Sequence, residues 1–162
     1  MPARIDTNIS LRQAMPADAA LIRRITHAAW TGRVDPGSSA YRETEDEIAQ
    51  QIAEGGAFIM DIDGEPAGSI RYSPIPNAWE VRRMGVAPPY RGQGYAALLM
   101  DAVVEHARRH GISDLRLAVR YDQPRLIGYY QSLGFAPAPG IVYAHQSPGT
   151  PAPTVLRRVL EE

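Results

Sequence analysis

The sequence predicts an α+β domain, a mixed and mostly antiparallel sheet flanked by helices, and three observations carry that prediction. Apolar spacing switches between strand type and helix type in the order β, α, α, β, β, β, α, β, α, β, β. The pair Asp63-Gly64 joins two strand-type runs, Ala57 to Ile62 and Glu65 to Ser73, into one hairpin. A strand from Trp79 runs into Pro88-Pro89 and then a glycine-rich helix start, so a helical crossover returns the next strand parallel to it.

The elements follow in chain order. Asn8 to Arg12 makes a short first strand. Pro16 at a first helical position and Asp18 in the first turn open a helix to Trp30. Its buried stripe is Leu21, Ile22, Ile25, Ala28 and Ala29, with His27 among them as a satisfied, partly buried side chain. Thr31 to Arg42 is turn-rich around Pro36-Gly37 and reads as a mobile loop. Thr44 and Glu47 form a capping box for a second helix, which turns Ile48, Ala49, Ile52 and Ala53 inward and ends at Gly55-Gly56.

After the hairpin, Ser73 to Asn77 carries two prolines and is expected to leave the ladder and turn into the central strand. From Gly94 the spacing becomes helical, through Leu98, Leu99, Ala102 and Val103 to a cap at Gly111. Asp114 to Arg120 alternates Leu115, Leu117 and Val119 with polar residues as a strand, and Pro124 starts a helix that ends at Gly134. Ile141 to Ala144 and Val155 to Leu160 are the last expected strands. The connector between them, His145 to Pro153, runs either over the active face or out along the surface.

With 162 residues the chain reads as one domain, residues 1–162, large enough to bury a core without a metal or a disulfide. It has no cysteine, which excludes a thiol nucleophile and a thiolate metal site. Seventeen basic against eighteen acidic side chains give a net charge of -1, so no global field recruits nucleic acid or an acidic membrane. The first ten residues lack a signal-peptide core and no apolar run approaches a spanning helix, which leads to the expectation of a cytoplasmic protein. The four histidines show no ligand spacing, and no metal is expected.

The junction Arg91-Gly92-Gln93-Gly94-Tyr95-Ala96 leaves the first-turn N–H groups without carbonyl partners at the positive end of the helix dipole, a place for an anion such as phosphate. Gly92 and Gly94 let the backbone approach that anion closely. The letters Gly92-x-Gly94-x-x-Ala97 also fit a variant dinucleotide fingerprint, and a glycine-rich helix start without a ligand stays open.

Arg91-x-x-Gly94-x-Ala96, following a strand that ends Met84-Gly85-Val86-Ala87-Pro88, resembles the acetyl-CoA signature of the GNAT superfamily of N-acetyltransferases. Gly128-Tyr129-Tyr130-Gln131-Ser132-Leu133-Gly134-Phe135 resembles that family's second motif, in the expected order. The resemblance implies that backbone N–H groups of Gly92, Gln93, Gly94, Tyr95 and Ala96, with the Arg91 side chain, hold the pyrophosphate of acetyl-CoA. It implies that the central strands splay apart, with Gly85 as the least costly place for a bulge, and that the pantetheine arm enters between them. The Val86 N–H would face the thioester carbonyl, and backbone at Met84 and Val86 would pair with the pantetheine amides. Tyr130 stands where the family places its general acid. The family commonly has an Asn where Gln123 stands here, a further coenzyme contact.

Glu80 lies where several members carry a carboxylate that takes the amine proton through water; pairing with Arg82 or Arg71 across the sheet is its structural alternative. The expected reaction is direct acetyl transfer in a ternary complex to a primary amine of a small molecule or peptide, with no nucleic acid or membrane partner and a homodimer allowed. A non-catalytic acyl-CoA-binding domain and a dinucleotide-binding oxidoreductase remain the alternatives. Glu43, Glu45, Asp46 and Glu47 crowd the start of the second helix, where they stabilise its dipole and would also attract a cationic acceptor.

Overall fold

The turn at Asp63-Gly64 sets the register of the sheet. Asp63 (φ 51°) and Gly64 (φ 83°) both take left-handed conformations, the pair a two-residue hairpin needs to follow the twist of its strands. In the computed structural model, which describes residues 7–161 except 144, 146 and 147, this turn joins β2 (Gly56–Ile62) to β3 (Glu65–Ile75). β1 (Ile9–Gln13) pairs antiparallel with β2, and β4 (Ala78–Val86) antiparallel with β3. β5 (Asp114–Val119) runs parallel to β4, and β7 (Thr154–Val159) antiparallel to β5 with the short β6 (Ala136–Pro137) at its side. Among the described residues the sheet therefore has seven strands in the order β1-β2-β3-β4-β5-β7-β6.

Strand alternation divides the core between two faces. Ala57 and Ile59 of β2 pack with Ile22 and Ile25 of α1 (Ala19–Trp30) and Ile48 and Ile52 of α2 (Glu45–Glu54). Phe58, Met60 and Ile62 face the other way, onto Leu99, Met100, Val103 and Val104 of α3 (Tyr95–Arg109). The side chains of α4 (Arg125–Ser132) that pack against this second core are Leu126, Ile127 and Tyr130. The Thr44–Glu47 capping box is formed, each side chain meeting the other residue's N–H at 3.1 Å. No described helix is long and apolar enough to cross a membrane.

Several local expectations are corrected. Pro74 and Ile75 stay in β3, opposite Trp79 and Ala78, and the turn is Pro76-Asn77. The proline is tolerated because β2 has already ended at its Tyr72 partner, so Pro74 has a sheet neighbour on one side only. Ala28 and Ala53 are exposed; on α1 the buried position goes to Thr26, whose hydroxyl donates to the Ile22 carbonyl at 2.9 Å. His27 sits edge-on to Tyr41, but its buried Nε2 has no hydrogen-bond partner, so it is less satisfied than expected. Residues 141–143 are not a strand and Ala144 lies outside the described residues; the pairing next to β7 is made by Ala136–Pro137, directly after α4. Ser39–Arg42 at the end of the expected loop forms a turn of 3₁₀ helix, capped by the Ser38 hydroxyl.

Candidate active site

Two residues of pairing are all that hold β4 to β5. Trp79 opposes Leu115 and Glu80 opposes Arg116, after which the strands diverge. A cavity of about 710 Å³ fills the gap, walled by Met84 and Val86 on one side and Leu117, Val119 and Tyr121 on the other. The splay comes with a bulge, but not at Gly85. Ser69 pairs with Gly85 while Arg71 pairs with Arg82, so the extra residue on β4 lies at Arg83-Met84, and Arg83 takes φ 54°. Gly85 is needed for packing instead: a Cβ there would lie 2.7 Å from Ala29 Cβ and 3.1 Å from Trp30 Nε1.

The bulge decides which amides face the gap. Ala87 N–H donates to Ala67 O at 2.7 Å, so by antiparallel alternation Val86 turns its N–H and C=O away from β3 and toward the opening. This is the orientation expected for a group that meets a thioester carbonyl. The Met84 carbonyl already accepts from the Trp30 indole at 3.2 Å, which limits what Met84 offers a ligand.

Gly92 (φ 74°) and the N-cap Gly94 (φ 83°) shape the turn into α3, and Gly92, Gly94, Tyr95 and Ala96 line the same cavity. A Cβ at either glycine would meet no protein atom, so these positions are kept open by backbone conformation and not by crowding. The Gln93 side chain points back, donating to Pro89 O at 3.4 Å, and leaves only backbone for an anion. The Arg91 side chain lines the cavity while donating to the carbonyls of Val86 and Ala29, clamping the end of β4 to α1. Burial and then the nearby Arg33 hold its pKa below the ordinary value, as befits a site short of negative charge. Gln123 is buried at the cavity wall and spends its amide N–H on Arg33 O at 2.9 Å, so it fixes the loop after α1.

Tyr130 projects from α4 into this space, edge-on to Tyr129 and Phe135. Burial, and secondarily Tyr129, raises its pKa, so its hydroxyl keeps its proton at neutral pH. Glu80 is buried in the floor of the cavity. Its expected partner Arg82 is at 3.7 Å, whereas Arg71 goes elsewhere. The shortest contact of Glu80 is one the sequence did not foretell: His145 Nε2 lies 2.9 Å from its Oε1. With Glu80 ionised, the carboxylate can only accept, so a neutral His145 carries its proton on Nε2 and has Nδ1 as acceptor. Tyr143 stands edge-on to His145 at 5.3 Å, its pKa raised by burial and by Glu80. Tyr143 and, of the connector's described residues, His145, Thr150, Pro151 and Pro153 line the cavity, in keeping with the first of the two expected courses.

Glu43 is not the exposed charge expected at the start of α2. It is 6% exposed and ion-paired to Arg71 at 3.0 Å, with Gln51 donating to it at 3.1 Å; Arg83 Nε lies 3.4 Å away as an ion pair without a hydrogen bond. The chain bends inward at Glu43 just before the Thr44 cap, and Arg71, 1% exposed, leaves that carboxylate no freedom to meet a ligand. Glu45, Asp46 and Glu47 do remain exposed.

Residues 21–135 match the family described as Acetyltransferase (GNAT) family. The chain belongs to the GNAT acetyltransferase family. Solved GNAT-type structures share its fold: PaiA N-acetyltransferase from Thermoplasma acidophilum in complex with coenzyme A superposes with a TM-score of 0.76 at 16% identity, covering 94% of this chain and 99% of that one. The ribosomal-protein-S18-alanine N-acetyltransferase from Escherichia coli gives 0.73 at 18% identity, covering 96% of each chain. In sequence, a mycothiol acetyltransferase from Renibacterium salmoninarum is 28% identical over 143 residues, 83% of this chain and 42% of the relative. A second, from Nocardia farcinica, is 28% identical over 137 residues, 77% of this chain and 44% of the relative. This GNAT chain thus spans less than half the length of those relatives.

Proposed function

We propose that the chain is a single N-acetyltransferase domain that moves the acetyl group of acetyl-CoA directly to a primary amine of a small molecule or peptide. The observation that carries this reading is the gap between β4 and β5, which opens beside the bare N-terminus of α3 and holds Tyr130 and Glu80 in one cavity. The N–H groups from Gly92 to Ala96 and the charge of Arg91 would take the pyrophosphate, and the pantetheine arm would lie in the gap. Val86 N–H would polarise the thioester carbonyl and stabilise the oxyanion.

The amine enters with Glu80 and His145 as proton acceptors. The neutral amine attacks the carbonyl carbon, a C–N bond forms, and the C–S bond breaks. The proton leaving nitrogen passes to the Glu80–His145 pair, and the departing thiolate takes the Tyr130 hydroxyl proton. With no cysteine in the chain, an acyl-thioenzyme has no residue to form on.

Two measurements test this. Coenzyme A should raise the melting temperature by binding the native state, and NAD should not. Acetyl-CoA with an amine panel should release free thiol. Stabilisation by NAD alone would establish the dinucleotide alternative, and coenzyme binding with no thiol release for any amine would establish a non-catalytic domain.

A further inference from the structure

We infer that the acceptor amine carries a carboxylate and that Arg82 receives it, an inference that rests on the N-acetyltransferase reading above. Glu80 and Arg82 both line the cavity, two residues apart on β4 and so on the same face of the strand. The charges around them do not balance. Arg71, the cross-strand partner of Arg82, and Arg83 both lean on Glu43, while Glu80 is shared between Arg82 at 3.7 Å and His145 at 2.9 Å. Three guanidiniums therefore stand against two carboxylates, and they repel one another: Arg82 acts against Arg71, and both act against Arg83.

Arg82 has the loosest tie of the three. Its distance to Glu80 is longer than a hydrogen bond, and among the described residues no hydrogen bond holds its terminal nitrogens. Its side chain is 24% exposed where those of Arg71 and Arg83 are 2% and 15%. Arg33 and Arg91 repel each other beside the start of α3, where the phosphates of the coenzyme would account for them, whereas Glu80 lies at the other end of the gap, where β4 still pairs with β5, with Arg82 two residues along the same strand.

An aliphatic amine arrives as ammonium, and Glu80 with His145 is the place for it. Once Glu80 turns to that ammonium, Arg82 loses its nearest carboxylate, and a carboxylate on the same molecule replaces it and keeps the incoming ammonium from adding to the cationic excess. The planar guanidinium fork takes both oxygens of such a group, whereas a polyamine would add a second cation to a wall already in excess. The acceptor class is a small amino acid or a similar amine acid. The acidic start of α2, deprived of Glu43, does not reverse this.

The test compares each of several free amino acids with its own amide and with a polyamine, following thiol release from acetyl-CoA. The free acid should exceed its amide in kcat/KM by about 10- to 100-fold, the worth of a charge-assisted hydrogen bond. In Arg82→Met that ratio should fall toward one, and Arg82→Lys should give an intermediate ratio, with the coenzyme A thermal shift confirming that each variant is folded. Equal use of acid and amide, preference for the polyamine, or a ratio unchanged in Arg82→Met would each overturn the inference while leaving the N-acetyltransferase reading intact. Release of no thiol from any amine, with coenzyme A still bound, would overturn both.

Discussion

Replacing Glu43 by Gln should cost more stability than any other single charge removed from the α2 region. Glu43 accepts from Arg71 at 3.0 and 3.1 Å and from Gln51 at 3.1 Å, and it offsets Arg83 as well. Neutralising it leaves two guanidiniums inside the protein without a counter-charge. Breaking a buried pair from one side costs about 3–5 kcal/mol. For a chain of this length each kcal/mol moves the melting temperature by about 2–4 °C, so the fall should be about 6–20 °C. Glu45, exposed two residues away, is the control: Glu45→Gln should stay within about 0.5 kcal/mol of wild type. Circular-dichroism melts of the three proteins from pH 3 to pH 8 measure both effects.

The sign with pH follows from the pair. Burial alone would raise the Glu43 carboxyl, but Arg71, Arg83 and Gln51 outweigh it and hold it below its ordinary 4.5. Its contribution is therefore complete above that value and fades as pH falls through the folded pKa. Glu43→Gln should lose this acid-side slope together with the stability at neutral pH. A variant melting within about 2 °C of wild type at neutral pH would show that the buried cluster does not hold β3, β4 and the loop before α2 together.

Three further outcomes are expected. Tyr130→Phe keeps the ring against Phe135 and removes the proton, so turnover should drop about 10²- to 10⁴-fold while coenzyme A binding by calorimetry stays near wild type; unchanged turnover would move protonation to water. Glu80→Gln should slow acetylation most at neutral pH and recover in part at high pH, where the amine loses its proton unaided; a defect flat across the pH–rate profile would assign Glu80 a structural role. Gly85→Ala drives a methyl into Ala29 and Trp30 and should destabilise by about 1–3 kcal/mol in a urea titration, and a neutral result would show that α1 has room to withdraw.

What the sequence made legible was local chemistry that neighbouring residues enforce. Asp63-Gly64, the Thr44–Glu47 box, the Pro88-Pro89 stop and the Gly94 helix start each specify a backbone conformation within a few residues, and each is found in place. The splay of β4 from β5 was read through family resemblance, and its bulge was put at glycine because glycine adopts positive φ at least cost. The chain puts it at Arg83, whose strained backbone is held by Glu43 and by the Trp30 ring face 5.6 Å away. His145 was illegible for another reason: it meets Glu80 across 65 residues, from a proline-rich connector with no periodicity. Burial of Glu43 was hidden likewise, because an acid beside a capping box reads as solvated until a distant Arg71 is known to face it.

The short junction of β4 with β5 makes the sheet two leaves, β1 to β4 and β5 to β7, stitched by two residue pairs and by the helices that span them. A pantetheine arm hydrogen-bonded along the opening would act as a rivet through both leaves. Coenzyme affinity and the relative orientation of the leaves then form a single thermodynamic quantity, so a substitution that only tilts β5, far from any phosphate or thioester contact, changes how tightly the coenzyme is held. Conversely, on that binding mode, release of coenzyme A would relax the mechanical tie between the leaf that carries Glu80 and the side of the cavity that carries Tyr130.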